Sequence, residues 1–157
     1  MPADTLAFLL GTWELERTLE DHISGTTGLF KGRATFTETV AAGAPPRCEW
    51  ARYEESGELH FGTQRTRASR SLIYERLKDA SVMLYFADGK PFVDLNLESG
   101  AWRGVHNCVE DLYEMTTTVG SPDLVQECWR VTGPRKDYLA VTTLTRVADS
   151  AALSARQ

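Results

Sequence analysis

His106 is the side chain of this sequence best suited to acid–base or ligand chemistry, because an imidazole changes its charge near neutral pH. In a strand over residues 101–108, alternate side chains point to the same side. One side would hold Trp102, Gly104, His106 and Cys108. If this side lines a cavity, His106 lies beside an indole and Gly104 leaves room for a ligand. The imidazole would then anchor a ligand, relay a proton or bind a haem iron; a histidine satisfied in a polar interior, or exposed, is the structural alternative.

Asp111 and Tyr113 follow His106 closely and could complete an acid–base set with it. An aspartate can orient an imidazole, and a tyrosine can exchange a proton with a substrate. Asp111 also has a structural role open to it, because the Val-Glu-Asp connection that it ends favours an Asx turn. The turn is the favoured role, and the candidate catalytic residues are His106, Asp111 and Tyr113.

Other polar and aromatic side chains could bind a ligand inside the fold. Arg70 and Tyr74 share one side of their strand. Arg130 lies on the opposite side of its strand from Trp129, and one of these two sides faces inward. An inward arginine would need a carboxylate, a ring or a ligand as its partner. The candidate ligand-binding residues are Trp102, His106, Arg70, Tyr74, Tyr113 and Arg130.

Composition and charge limit the class of partner. The formal net charge of -5 and the isoelectric point near 5.2 argue against nucleic-acid binding, which requires a basic face. Hydrophobic residues make up 42% of the 157 residues, which is enough for the core of one domain. The N-terminus has no signal-peptide pattern, and no apolar stretch is long enough to span a membrane. A cytoplasmic protein without a membrane partner is therefore expected.

Motifs of several large enzyme classes are missing from the sequence. It contains no P-loop, no dinucleotide-binding glycine pattern, no HExxH and no GxSxG. Cys48, Cys108 and Cys128 form no CxxC pair, and the three histidines are far apart in the chain. This spacing indicates neither a disulfide framework nor a zinc site. No cofactor is predicted.

Period-2 segments separated by turn residues predict an all-β chain. A helix over residues 4–10, with Asp4 as its N-cap and Gly11 at its end, precedes the strands. The Asp88-Gly89 pair predicts a tight hairpin. The predicted strands cover residues 12–20, 28–40, 48–53, 58–64, 69–77, 81–86, 91–97, 101–108, 112–119, 124–131 and 138–147. Short strands at this spacing predict a barrel or a sandwich, in one domain over residues 1–157 with a disordered tail from about residue 149.

Both ends of the strand series resemble the calycins, which include the lipocalins, the fatty-acid-binding proteins and the nitrobindins. Gly11-Thr12-Trp13 resembles their Gly-x-Trp start, and residues 143–147 resemble the Thr-Arg-x-Tyr ending of fatty-acid-binding proteins. The resemblance implies one antiparallel up-and-down β-barrel of about ten strands. It also implies that Arg146 packs over Trp13 where the first and last strands meet. The chain departs from the pattern at Ala148, where fatty-acid carriers have a tyrosine that helps to bind the ligand carboxylate.

A second resemblance covers most of the chain. The runs over residues 106–113 and 129–138 are similar to an uncharacterised family of small proteins, a domain of unknown function. Residues 69–75 and 88–92 share this similarity. The resemblance implies a calycin-like barrel and no established activity.

These features together predict a barrel that binds an organic small molecule in its interior. One alternative is a cofactor-free isomerase, cyclase or hydrolase that uses His106 for acid–base chemistry. A weaker alternative is a haem barrel with His106 as the axial ligand, because nitrobindins carry their proximal histidine near the C-terminus and the last strand here has none. The expected partner is the small-molecule ligand, and association into a homodimer stays open.

Overall fold

The segments of alternating apolar and polar residues form ten antiparallel strands in the described part of the chain. These strands coil into a nearly closed barrel. The computed structural model describes residues 1–39 and 49–148. Its elements are α1 (Thr5–Leu9), β1 (Gly11–Asp21), β2 (Thr27–Thr39), β3 (Trp50–Phe61), β4 (Gln64–Arg76), β5 (Val82–Phe86), β6 (Pro91–Leu95), β7 (Ala101–Cys108), β8 (Asp111–Ser121), β9 (Leu124–Thr132) and β10 (Asp137–Arg146). The predicted fold class, an all-β up-and-down barrel with a short N-terminal helix, is confirmed.

Strand β3 illustrates how the sequence separates the inside of the barrel from the outside. Ala51, Tyr53, Glu55 and Gly57 are buried, and the residues between them are exposed. Because successive side chains of a strand point to opposite faces, this pattern turns one face of β3 into the interior. Glu55 is a charged residue on that buried face, and its partners determine the chemistry of the interior.

The prediction of separate strands at residues 48–53 and 58–64 is wrong. Residues 50–53 and 58–61 belong to the single strand β3, which is followed by a turn at residues 62–63 and by β4. The polar run at residues 54–56 has the composition of a connection. The strand nevertheless continues through it, because Glu55 has ion-pair partners inside the barrel while its two neighbours face solvent. The predicted turn at 43–46, Cys48 and the tail from residue 149 lie outside the described residues.

Helix α1 packs across one end of the barrel. Its N-cap is Asp4, as predicted, whose carboxylate accepts a hydrogen bond from the backbone N–H of Ala7 at 3.1 Å. Leu6 and Leu9 are buried in the core, and the Thr5 hydroxyl accepts a hydrogen bond from the backbone N–H of Leu97 at 2.9 Å. A helix of five residues has little stability of its own, so these contacts hold it in place. No helix within the described residues is long and apolar enough to cross a membrane.

The first and last strands close the barrel at Trp13 and Arg146, which are cross-strand partners in the β1–β10 ladder. The guanidinium of Arg146 lies 4.1 Å from the centre of the buried Trp13 ring. It also donates hydrogen bonds to the backbone oxygens of Phe8 at 2.7 Å and Leu10 at 3.1 Å. The prediction that this arginine packs over this tryptophan is confirmed.

Strands β2 and β3 carry two glycines, Gly32 and Gly57, which face each other in the ladder. A Cβ atom on Gly57 would lie 2.7 Å from the Cα of Gly32 and would clash with the backbone oxygen of Lys31. Real side chains do not tolerate such distances to backbone atoms. Glycine is therefore required at this crossing, as it often is where a sheet bends sharply.

The barrel has a seam between β6 and β7, where no backbone ladder joins the two strands in the described part of the chain. Side chains close the seam instead. The indole N–H of Trp102 on β7 donates a hydrogen bond to the backbone oxygen of Asp94 on β6 at 3.0 Å. Beside it, a Cβ atom on Gly104 would lie 3.3 Å from the same oxygen, so a larger residue would push the strands apart.

Candidate functional site

The centre of the barrel contains an ion-pair network built around Glu55. Arg17 holds the carboxylate with two hydrogen bonds, from Nη1 to Oε2 at 2.7 Å and from Nη2 to Oε1 at 3.0 Å. Arg70 donates to Oε1 from Nε at 3.2 Å and from Nη2 at 2.9 Å. Tyr53 donates its hydroxyl to the same oxygen at 2.8 Å, and Arg17 Nε donates to the Thr142 hydroxyl at 2.8 Å. One carboxylate thus neutralises part of the charge of two arginines.

These contacts control the ionisation of Glu55. Burial alone would raise the pKa of a carboxyl group whose side chain is only 3% exposed. The hydrogen bonds from Arg17, the charges of both arginines and the Tyr53 hydroxyl outweigh burial and lower the pKa of Glu55 to about 2. Burial, followed by the charge of Glu55, raises the pKa of Tyr53 above its ordinary value. Glu55 is therefore ionised and Tyr53 is protonated at neutral pH.

The low pKa of Glu55 predicts a loss of stability in acid. A carboxyl group whose pKa falls from 4.5 to about 2 on folding stabilises the native state above pH 4.5. That contribution, roughly 3 kcal/mol, disappears as the pH falls from 4.5 to about 2. Urea unfolding of the wild type and of Glu55→Gln should therefore give free energies that converge over this window. If the two free energies stay a constant distance apart, Glu55 is not the titrating group.

A narrow cavity lies between this network and the apolar walls of the barrel. Tyr74, Leu84 and Val125 are among its apolar lining residues, and Thr117 and Glu127 add polar groups. The free space holds only about one or two water molecules, since one water requires roughly 10–15 Å³. A larger guest must therefore widen the barrel or move side chains.

Thr117 and Glu127 are cross-strand partners on β8 and β9. Thr117 is 2% exposed, and its hydroxyl has no hydrogen-bond partner in the described part of the chain. The carboxylate of Glu127 accepts a hydrogen bond from the indole N–H of Trp129. No Arg or Lys forms an ion pair with Glu127 among the described residues, in contrast to Glu55. Unused hydrogen-bonding capacity therefore remains inside the barrel.

A layer of aromatic rings borders the cavity on one side. Phe92 and Trp129 lie parallel with their ring centres 4.8 Å apart, and both line the cavity. His106 meets the Phe92 ring edge-on at 5.4 Å and lies 5.9 Å from Tyr113. Phe86 packs against Phe92 in a tilted arrangement, with the ring centres 4.3 Å apart. Such offset and edge-on contacts stabilise aromatic clusters.

The structure brings together only some of the predicted ligand-binding residues. Arg70 and Tyr74 line the cavity. The side of β7 that carries Trp102 and His106 is the less exposed one, but neither side chain lines the cavity. His106 contacts the cavity through the Phe92 ring, and Trp102 closes the seam.

The proposed acid–base set of His106, Asp111 and Tyr113 is not assembled. Asp111 pairs with Lys136 at 3.2 Å, and the Tyr113 hydroxyl accepts a hydrogen bond from the same ammonium at 2.9 Å. Hydrogen bonds to Tyr113 and Asp111 raise the pKa of Lys136, so its ammonium group stays charged at neutral pH. Asp111 stands opposite Cys108 in the ladder, whereas His106 stands opposite Tyr113. Lys136, which comes from the β9–β10 turn, therefore takes the partners that the prediction assigned to His106.

Arg130 does not lie inside the barrel. Its guanidinium forms an ion pair with Asp137 at 2.6 Å and donates to the backbone oxygens of Val131 and Tyr138. The interior side of β9 is the one that carries Glu127 and Trp129, because these line the cavity. Arg130 therefore binds surface groups near the β9–β10 turn rather than an interior ligand.

The sequence prediction missed three charged residues at the interior: Arg17, Glu55 and Glu127. A signal for Arg17 was present, because it follows Trp13 and Leu15 at the same period-2 spacing on β1. Glu55 likewise follows Ala51 and Tyr53. A charged residue in phase with buried apolar residues is the pattern that marks an interior ion pair. No cluster of three or more His, Cys, Asp or Glu residues suited to a metal ion occurs in the described residues.

Comparison with known proteins places the barrel in a family. A family model described as "Family of unknown function (DUF6314)" matches residues 9–146. The chain belongs to this family. The match to the DUF6314 family spans the described strands from β1 to β10. None of the curated proteins matches the chain.

Solved structures share the fold of this DUF6314 chain at low sequence identity. The S-type phycobiliprotein lyase CPES from Guillardia theta is 13% identical, with a TM-score of 0.63 over 93% of this chain and 92% of that chain. A DUF3598 protein of unknown function from Nostoc punctiforme is 14% identical, with a TM-score of 0.46 over 94% and 51% of the two chains. A redesigned beta barrel, mFAP0, bound to DFHBI is 14% identical, with a TM-score of 0.46 over 88% and 99%. The similarity to the lyase shows a calycin-like barrel fold.

Proposed function

We propose that this chain binds a small organic molecule with a flat ring system inside the barrel. The observation that carries the proposal is the Thr117 hydroxyl, which is buried at the cavity without a hydrogen-bond partner in the described residues. A buried polar group without a partner costs free energy of folding. A bound molecule that supplies the missing hydrogen bond would remove that cost.

The surroundings of Thr117 suit such a ligand. Ligand pockets in proteins are mostly apolar and aromatic, with a few polar groups that fix the orientation of the ligand. The stacked rings of Phe92 and Trp129 supply an apolar aromatic wall, and Arg70 and Glu127 supply the polar groups. Similarity of fold assigns no ligand, so the proposal rests on these contacts.

Binding requires the interior to expand, because the cavity holds only about one or two water molecules. The seam between β6 and β7 is the natural place for expansion, since no backbone ladder joins the two strands there. Phe92 lies on β6, which forms one edge of this seam, and its ring lines the cavity. A modest separation of β6 from β7 would therefore open space directly beside the aromatic wall.

The contacts of the aromatic layer favour binding over acid–base catalysis. Asp111 and the Tyr113 hydroxyl both bind Lys136, and neither forms a hydrogen bond with His106 in the described residues. His106 packs against rings, which suits a wall residue. A ligand-binding barrel therefore accounts for more of the geometry than an enzyme does.

The test is native mass spectrometry of the purified protein, combined with its visible absorption spectrum. We expect a bound organic mass above the 17.5 kDa of the chain, and a higher melting temperature for the loaded form. Thr117→Val keeps the shape of the side chain and removes the hydroxyl, so it should lower the occupancy. Thr116→Val is the matched control, because Thr116 is exposed on the outer side of the same strand.

Two results would contradict the proposal. The first is a bare chain whose melting temperature does not rise with any member of a library of aromatic metabolites. The second is equal occupancy in Thr117→Val and Thr116→Val, which would place the ligand away from the interior. A Soret band in the absorption spectrum would instead identify the bound molecule as haem.

A further inference from the structure

The charged groups around the cavity cancel each other. Arg17 and Arg70 contribute two positive charges, and Glu55 and Glu127 contribute two negative charges when both carboxyl groups are ionised. Glu55 contacts both arginines directly. Glu127 forms no ion pair with either of them in the described residues, although both Arg70 and Glu127 line the cavity. The interior is therefore neutral as a whole but presents separated positive and negative groups to a guest.

The side chains around the cavity have both unused hydrogen-bond donors and unused hydrogen-bond acceptors. Arg70 binds Glu55 through Nε and Nη2 only, which leaves the N–H groups of Nη1 available on a side chain that is 44% exposed. Glu127 has one carboxylate oxygen beyond the one that accepts from the Trp129 indole. The Thr117 hydroxyl, opposite Glu127 in the ladder, can donate and accept. Arg70, Thr117 and Glu127, which all line the cavity, thus offer a guest both donors and acceptors.

A guest with a formal charge does not fit this arrangement. An anion bound to Arg70 would bring an unpaired negative charge near Glu127, and a cation bound to Glu127 would do the same near Arg70. Either ion would leave the interior with a net charge, which is unfavourable in surroundings of low dielectric constant. A neutral group with an N–H donor beside a C=O acceptor can form hydrogen bonds with both Glu127 and Arg70, and it adds no charge.

We infer that the inner end of the ligand is an uncharged donor–acceptor group on a flat ring, of the kind found in a lactam or a cyclic amide. Its carbonyl oxygen accepts from Arg70, its N–H donates to Glu127, and the Thr117 hydroxyl completes the contact. The ring lies along the wall formed by Phe92 and Trp129. This inference rests on the proposed function and adds to it the chemical class of the ligand.

The test uses three two-ring probes of similar size that differ in charge: neutral 2-quinolone, anionic 2-naphthoate and cationic 2-naphthamidine. Each is titrated into the full chain by isothermal calorimetry. We expect wild type to bind 2-quinolone at least about tenfold more tightly than either ion, because only the neutral probe pairs both sides of the cavity.

Two variants separate charge balance from simple hydrogen bonding. Glu127→Gln leaves the interior with a net positive charge, so the affinity for 2-quinolone should fall about tenfold while that for 2-naphthoate rises. Thr117→Val leaves the charges unchanged, so the affinity for 2-quinolone should fall and that for 2-naphthoate should not rise. Glu114→Gln is the matched control, because Glu114 pairs with Arg103 on the outer face and its loss changes the net charge equally.

Failure of the inference and failure of the proposed function give different results. If the wild type binds either ion more tightly than 2-quinolone, the inference of an uncharged donor–acceptor group is wrong. The proposal that the barrel binds a ligand is not affected by that result. The same conclusion follows if Glu127→Gln does not shift the preference toward 2-naphthoate. If none of the three probes binds, the proposed interior site is itself contradicted.

Discussion

Replacing Glu55 with alanine is expected to lower the free energy of unfolding by about 3–5 kcal/mol. The substitution leaves Arg17, whose side chain is only 13% exposed, without the carboxylate that holds it with two hydrogen bonds. It also removes the acceptor for the Tyr53 hydroxyl and for Arg70. Buried charges and donors without partners are among the most destabilising changes that a core can suffer. Urea unfolding followed by tryptophan fluorescence measures the loss.

Two further variants show whether the network, rather than a general loss of charge, is responsible. Glu55→Gln keeps the size of the side chain and an acceptor oxygen, so it should cost less than Glu55→Ala but remain clearly destabilising. Glu54→Gln removes a carboxylate that is 54% exposed and pairs with Arg52 on the outer face, so its effect should stay within about 0.5 kcal/mol. Equal losses at positions 54 and 55 would show that the interior network contributes little.

Replacing Gly57 with alanine is expected to destabilise the protein by about 2–3 kcal/mol. The new methyl group would clash with the backbone oxygen of Lys31 and would lie 2.7 Å from the Cα of Gly32. These neighbours are backbone atoms in a central ladder, so they cannot move aside as a flexible side chain can. The β2–β3 ladder must therefore separate locally, and the midpoint of urea unfolding should fall.

Gly120→Ala is the matched control for this prediction. A Cβ atom on Gly120 would lie 3.0 Å from the side chain of Leu124, which is partly exposed and can shift. We expect a change within about 0.5 kcal/mol. If Gly57→Ala is no more destabilising than Gly120→Ala, the close approach of β2 and β3 does not constrain the barrel.

Local patterns predict the parts of the fold that local contacts determine. Strand β7 is predicted at its observed bounds, because a turn signal flanks it on each side and its alternation is regular. The capping of α1 by Asp4 is predicted for the same reason, since the cap and the N–H that it accepts from are three residues apart. The contact of Arg146 with Trp13 is predicted through the resemblance to calycins, and closure of the barrel explains it.

Local sequence patterns do not predict the interior ion-pair network, because its partners are distant in the chain. Arg17 and Glu55 are 38 residues apart, and Arg17 and Thr142 are 125 residues apart. Only the closed barrel brings them together. A polar run such as residues 54–56 therefore has the composition of a loop until the partner of its middle residue is known. The pattern of β9 likewise does not reveal which of its two sides faces inward, and in the structure it is the side of Glu127 and Trp129 rather than that of Arg130.

The seam between β6 and β7 allows the circumference of this barrel to change. Nine backbone ladders join the ten strands, and each resists stretching because its hydrogen bonds would break. At the seam the circumference depends on side-chain contacts, which include the indole hydrogen bond of Trp102, the close approach of Gly104 to β6 and the edge-on contact of His106 with Phe92. The barrel can therefore widen there without breaking a backbone ladder, while the rest of its wall stays intact. A smaller residue at position 102 or a larger one at position 104 would therefore change the internal diameter of the barrel.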